Sequence, residues 1–452
     1  MVKLGSTGLE ISSIGLGCMG MTAFYGAPME QEAATALLKG AYELGYTHFD
    51  SAEAYSTKPG DFSDPEGTIH NECQIGKFLQ TLPREKFTVA TKYMPGFHDG
   101  KCDAETVAAA VDASLERLGL SYIDLYYCHR MPASVEALEE WMASVKALVE
   151  AGKVKHIGLS EVGPVWLRRA HAVHPVACIQ QEWNLCTRNL ETVLISACKQ
   201  LNVGIVAYSP LARSLLGAAD EAAPKDWRAK SIPRYSEENF EKNKEVASKI
   251  ATAAGKRDLT AAQVSLAWLY AKAKSLGISM VPIPGTTKLK RAEENAAATS
   301  VELTAEEMKS LEELGAAVVG ARGNESYVKR ALECQETEAD PEPKIDPAPD
   351  GAIEMKVTKK KPSGFYVRAA SSFLKGVEAK PAEEGKEAVE AKAPVENLRI
   401  SGLGDAVNVA VTAAAQAQSE GFGIISRIQT AYPSMESSGR GCIQIFIDMK
   451  KK

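Results

Sequence analysis

The 452-residue sequence contains no long apolar run; nothing in it approaches the roughly 20 apolar residues needed to cross a bilayer as a helix, and no membrane partner is expected. Its nine cysteines include no C-x-x-C pair and no metal-like spacing, which sets aside zinc and dithiol redox readings and leaves free thiols. Cys18, Cys128, Cys178 and Cys198 lie in or beside apolar runs and read as small core residues. The opening Met1-Val2-Lys3-Leu4-Gly5 has no apolar signal core and no Arg/Ser-rich transit pattern, so a cytoplasmic location is expected. Asp and Glu outnumber Lys and Arg, 58 to 52. The net charge is −6, with residues 354–452 carrying 15 Lys and Arg against 11 Asp and Glu. The first 353 residues are therefore acidic, which argues against nucleic acid as their partner. No G-x-G-x-x-G opens a helix directly after the first strand. Gly15-Leu16-Gly17-Cys18-Met19-Gly20 has the spacing, but more loop follows it, so a doubly wound dinucleotide fold is not expected.

What the first 320 residues do contain is a regular alternation. Strand-like apolar runs occur at 13–17, 47–50, 87–92, 123–129, 156–160, 177–180, 204–209 and 279–283. Most are continuous rather than alternating in polarity, as strands covered on both faces should be. Helix-period stretches such as 31–44, 104–118, 135–151 and 190–201 lie between them. Eight strand–helix units over this length predict an α/β fold, a (β/α)8 TIM barrel at residues 1–335. The stretch 336–362 reads as a linker rich in Pro and charge. A small α+β domain at 363–452 follows, with a disordered Lys/Glu/Ala/Pro insert at 378–394.

In such a barrel, polar residues at the C-terminal ends of strands face the active-site mouth. Those ends present Asp50, then Tyr55 five residues on, Lys92 and His129. The motifs Gly45-Tyr46-Thr47-His48-Phe49-Asp50-Ser51-Ala52-Glu53-Ala54-Tyr55, Ala90-Thr91-Lys92 and Leu118-Gly119-Leu120-Ser121-Tyr122-Ile123-Asp124-Leu125-Tyr126 resemble the aldo-keto reductases, nearest the branch of perakine reductase and pyridoxal reductases. The resemblance covers about residues 1–330. It implies a carbonyl reductase in which Tyr55 protonates the developing alkoxide. The Lys92 ammonium is expected to lower the Tyr55 pKa, Asp50 to hold Lys92, and His129 to orient the carbonyl. A buried Asp50–Lys92 salt bridge with no catalytic role is the plain alternative.

The same resemblance implies an NADPH site. Ser160 and Gln180 would contact the nicotinamide amide and Tyr208 would stack on its ring, with Met19, Gly20, Ser209, Leu211 and Arg213 nearby. Gly285, Thr286 and Thr287 run into a helix N-terminus suited to phosphate. Lys288 and Arg291 would pair with the adenosine 2′-phosphate, and Glu294 and Asn295 would hold the adenine. Phe24, Tyr25 and Trp183 are the candidate walls of the substrate pocket, and a small-molecule carbonyl compound is the expected substrate. Loops at 56–70 and 211–238 are long, and Arg213, Trp227 and Arg234 in the second are candidates to line the pocket.

Residues 364–449 resemble the small Alba nucleic-acid-binding domains in Phe365-Tyr366-Val367-Arg368-Ala369-Ala370, Leu398-Arg399-Ile400-Ser401-Gly402-Leu403-Gly404-Asp405-Ala406-Val407 and Ser438-Gly439-Arg440-Gly441-Cys442-Ile443-Gln444-Ile445. The resemblance implies a β-α-β-α-β-β order. Lys359, Lys360, Lys361, Arg368, Arg399 and Arg440 are the candidate phosphate contacts for RNA or DNA, and a homo-oligomer interface is the alternative use of the domain. A second reading of the whole chain is a redox-sensing, NADPH-binding subunit of a nucleic-acid-associated protein with little turnover.

Overall fold

The structure is a computed structural model, described for residues 1–58, 68–217, 222–325, 327–328, 347–381, 388–431 and 443–452. The chain divides into two compact units, Met1–Thr337 and Glu338–Lys452.

In the first unit a short hairpin, β1 (Val2–Leu4) and β2 (Leu9–Ile11), precedes eight strands: β3 (Leu16–Gly17), β4 (His48–Asp50), β5 (Thr88–Tyr93), β6 (Ile123–Cys128), β7 (Val154–Ser160), β8 (Val176–Glu182), β9 (Gly204–Tyr208) and β10 (Met280–Pro282). These eight pair in chain order, every pair parallel. A parallel bridge between Gly17 and Gly285 joins β3 to the segment after β10 and closes the ring, helped by the Gly15 N–H donating to the Pro282 carbonyl at 3.0 Å. A Cβ on Gly17 would stand 2.8 Å from the Ile283 carbonyl oxygen, and one on Gly285 2.8 Å from that of Gly17. Gly15 and Gly17, two of the glycines that mimic a phosphate fingerprint, are therefore part of the seam of a barrel.

The outer helices form where an apolar face recurs every three to four residues. Ala104–Leu118 buries Val107, Ala110, Val111, Ser114 and Leu118; its N-cap Asp103 accepts from the Thr106 N–H, and Gly119 ends it at φ 65°. The helices Ala261–Leu276 and Ala305–Ala316 open on capping boxes built by Thr260 with Gln263 and Thr304 with Glu307. The hairpin covers the N-terminal ends of the strands. Leu4, Leu9 and Ile11 are buried with Ala90, Leu125, Tyr127, Ala177, Val206 and Val281, each Leu, Ile and Val among them contributing about 1.5–3 kcal/mol by leaving water.

The second unit has a separate core and the order β11 (Ile353–Val357), helix Ser363–Lys375, β12 (Asn397–Leu403), helix Val407–Ser419, β13 (Gly423–Ala431), β14 (Gln444–Lys451). The sheet order is β11-β12-β14-β13, with only β11 and β12 parallel. Two expectations need correction here. The stretch 336–362 is not all linker, because β11 lies within it. The flanks of the insert carry two antiparallel bridges, Val377 with Lys392 and Lys380 with Val389, so they are not without structure.

Candidate active site

The polar side chains at the C-terminal strand ends meet in one place. Asp50 ends β4, Lys92 comes from β5, His129 follows β6, Gln180 comes from β8, and Tyr55 sits on the loop after β4. Lys92 is fully buried. Its ammonium donates to Asp50 Oδ1 at 2.5 Å and to the Ser51 carbonyl at 2.6 Å, and reaches the Tyr55 hydroxyl at 3.5 Å. The other Asp50 oxygen accepts from Gln180 Nε2 at 2.7 Å. The Tyr55 and His129 rings meet edge to face at 5.6 Å.

Burial favours the neutral form of every group here, and the contacts decide which group keeps its charge. Burial works against the Lys92 ammonium, but Asp50 and Tyr55 more than offset it, so Lys92 stays protonated above its usual range. Burial pushes the Tyr55 phenol up, and Lys92 pulls it back only in part. The expected lowering of the Tyr55 pKa is thus reversed in sign: desolvation outweighs one neighbouring charge. Burial also drives His129 well below its ordinary value, with the Arg130 and Lys92 charges adding to the effect, so its imidazole is neutral. His129 Nδ1 is buried with no hydrogen-bond partner among the described residues.

These groups open on a cavity of about 720 Å³. Met19, Gly20, Phe24, Tyr25, Asp50, Tyr55, His129, Gln180, Tyr208, Ser209, Leu211, Arg213, Gly285, Thr286, Thr287, Arg291, Glu294 and Asn295 all line it, so these sequence candidates are brought together around one space. Trp227 meets Phe24 and Tyr25 in edge-to-face contacts at 6.0 and 6.2 Å and completes an aromatic wall.

Four expected site residues stand elsewhere. Trp183 is fully buried, its indole N–H bonded to Glu191 at 3.1 Å, because a residue at the start of the loop after a strand can turn into the packing as readily as into the mouth. The Ser160 hydroxyl is occupied by Arg130 at 3.2 Å and is not among the lining residues. Lys288 is the exposed N-cap of helix Leu289–Ala297, outside the lining set. Arg234 is buried and donates to Thr187 Oγ1 and the Cys186 carbonyl, where it fastens a loop.

In the second unit, Arg399 is buried and holds Asp448 through two bonds of 2.6 and 2.9 Å, so it cannot also hold a phosphate. Lys359 pairs with Asp405 at 2.9 Å. Lys360, Lys361 and Arg368 are exposed, and Arg440 lies outside the described residues.

Sequence reasoning missed a second layer of charge. Arg130, Gly323, Asn324 and Tyr327 line the cavity, and Arg322 ties the chain beyond the last barrel helix onto its rim. Arg322 pairs with Glu161 and, at 3.4 Å, with Glu182; Tyr208 donates to Glu161 at 2.8 Å, and the hydroxyls of Tyr208 and Tyr327 are 2.8 Å apart. The available signal was an arginine between glycines, Gly320-Ala321-Arg322-Gly323, in a stretch with no helical or strand period. Among the described residues no group of His, Cys, Asp and Glu side chains is arranged to hold a metal ion.

A family model described as the Aldo/keto reductase family matches residues 13–316. "Probable aldo-keto reductase 1" of Glycine max is 41% identical over 317 residues, which is 69% of this chain and 87% of the relative. A thermostable aldo-keto reductase solved with the inhibitor epalrestat aligns at a TM-score of 0.55 and 30% identity, over 69% of this chain and 98% of that one. An aldo/keto reductase from Klebsiella pneumoniae, solved with NADP and acetate, aligns at 0.53 and 25% identity, over 70% and 96%. With more than half its length matched and the polar rim of its barrel assembled, the chain belongs to the aldo/keto reductase family.

Proposed function

We propose that the barrel reduces aldehydes or ketones to alcohols with NADPH as the hydride source. The observation that carries this reading is the relay Asp50–Lys92–Tyr55, buried behind and open in front to a cavity large enough for a cofactor and a small substrate. The residues suit the cofactor. The N–H groups and dipole of helix Leu289–Ala297 favour phosphate, with Thr286, Thr287 and Arg291 beside them. Glu294 and Asn295 would hold the adenine, and the Tyr208 ring offers a surface for the nicotinamide. The family relative solved with NADP supports the same choice. When bound, NADPH supplies a hydride to the carbonyl carbon.

The chain's own residues handle the proton. A phenol that keeps its proton through neutral pH is the form a donor needs, and Tyr55 passes that proton to the carbonyl oxygen as negative charge develops there. The Lys92 ammonium stabilises the phenolate left behind, Asp50 keeps the ammonium aimed, and Gln180 fixes Asp50. The neutral His129 ring donates to the same oxygen and orients it. Phe24, Tyr25 and Trp227 wall the substrate on its apolar side.

Tyr55→Phe is expected to lower NADPH-linked turnover of a reactive aromatic aldehyde by roughly 10²–10⁴-fold while leaving NADPH binding unchanged. Tight NADPH binding by the wild type with no turnover across a broad aldehyde panel would overturn the reading in favour of redox sensing.

The motifs around Asp50 and Tyr55 support a place near the perakine reductase and pyridoxal reductase branch. The β-α-β-α-β-β order of the second unit supports an Alba-like module. Lys360, Lys361 and Arg368 are its exposed basic candidates for nucleic acid. A salt-dependent RNA mobility shift, lost on reversing those three charges, is the measurement for that role.

A further inference from the structure

The cavity beside Tyr55 holds more positive charge than negative, and part of the excess rests on a single guanidinium. Glu161 is taken by Arg322. Glu182 is shared by Arg213 at 3.0 Å, Arg322 at 3.4 Å and, from behind, Arg234 at 3.9 Å. On the far wall Arg228 is held by Asp226 at 2.8 Å, and Lys92 is held by Asp50. Arg130 has no carboxylate within ion-pair distance among the described residues. Its Nη1 donates to two neutral acceptors, the His129 carbonyl at 2.6 Å and Ser160 Oγ at 3.2 Å. Its Nε and Nη2 hydrogen-bond to no described residue, and its guanidinium carbon lies 5.7 Å from the centre of the Tyr327 ring.

We infer that Arg130 holds an anionic group of the substrate, and that the preferred substrates are carbonyl compounds carrying a carboxylate. This rests on the reductase reading. Arg130 directly follows His129, whose ring packs on Tyr55, so an anion held there leaves the rest of a short molecule within reach of the Tyr55 hydroxyl. A planar guanidinium with unused N–H groups in a sheltered site matches a carboxylate in geometry and in charge. The cofactor phosphates do not compete for it. Arg130 stands at the end of β6, whereas Gly285–Arg291 follow β10, and in a closed ring of eight strands β6 and β10 lie opposite each other.

The test compares 4-carboxybenzaldehyde with its neutral methyl ester, in the wild type, Arg130→Met and Arg130→Lys. Calorimetric binding of 4-carboxybenzaldehyde to the NADP⁺-loaded protein gives a readout independent of turnover. The wild type should prefer the carboxylate by about tenfold or more in kcat/KM, the magnitude of one charge-assisted hydrogen bond. Arg130→Met should abolish the preference and the calorimetric signal while still reducing the ester, and Arg130→Lys should keep part of both. Equal use of the two aldehydes by the wild type, or a rise in the KM for NADPH in Arg130→Met with the preference intact, overturns the assignment and leaves the reductase reading standing. Arg130-dependent binding of the carboxylate with no reduction of either aldehyde would uphold the anion site and end the reductase reading instead.

Discussion

Lys92 shows how a single residue can be both a structural and a chemical commitment. It has no exposed surface, yet it carries a charge, and a buried unpaired ammonium would cost several kcal/mol. Asp50 and the Ser51 carbonyl fix it in place, and what remains of its field falls on Tyr55. Lys92→Met removes the charge that opposes the burial-driven rise of the phenol's pKa, so that pKa should climb further. In the direction of alcohol oxidation, which needs the phenolate as base, the rising limb of the pH–rate profile, where the phenol loses its proton, should move to higher pH, and the maximal rate should fall roughly 10²-fold or more. An unmoved limb would mean Lys92 acts through packing alone. Asp50, Tyr55, Lys92 and His129 were legible in the sequence because a strand end fixes which way a rim residue faces. Trp183 and Ser160 were not, because one step along the loop or one competing arginine redirects the side chain. Arg399 looked like a free cation because nothing local announces Asp448, a partner 49 residues away.

At the scale of elements, the chain at Gly320–Asn324, with Tyr327, works as a strap across the barrel rim. Its buckle is strained: Glu161, a non-glycine residue, adopts φ 56° at the end of β7 to face Arg322. Burial disfavours the Glu161 carboxylate, but Arg322, Arg130 and the Tyr208 hydroxyl together hold it below its ordinary pKa of 4.5. Its contribution to stability is therefore complete above about pH 4.5 and is lost as pH falls through the lowered value. Glu161→Gln is expected to destabilise the barrel by about 3 kcal/mol, less than full loss of a buried pair because Glu182 still engages Arg322. Denaturant unfolding measures the loss, and faster hydrogen exchange of the Arg322 and Gly323 amides locates it at the strap. The barrel strands were readable as continuous apolar runs, whereas β11 was not. Glu354 and Lys356 alternate with the buried Met355 and Val357, a one-sided pattern that a Pro- and acid-rich neighbourhood disguises as linker.

Across the whole molecule, the largest hydrophobic core of each unit, among the described residues, lies around the barrel in the first and beneath the four-stranded sheet in the second. Deleting residues 338–452 is expected to leave aldehyde reduction within about twofold of the intact chain, since every group of the proposed chemistry belongs to the first unit. Asp448, on the central β14, accepts from Arg399 on β12 and Arg427 on β13, so Asp448→Asn should lower the melting transition of the second unit alone, by about 3–5 kcal/mol of its stability. A single shared transition, shifted as a whole, would show that the two cores unfold together. The barrel's order and closure were legible from its eightfold rhythm; the residues of its seam were not, because they are two glycines 268 positions apart that meet only in three dimensions. The hairpin of β1 and β2 carries a consequence of its own. By stoppering one end of the barrel it leaves the cavity, among the described residues, to be entered from the opposite rim, and a room with one doorway imposes a queue: whatever is seated deepest must arrive first and depart last, so the order of traffic is set by architecture before any affinity is considered.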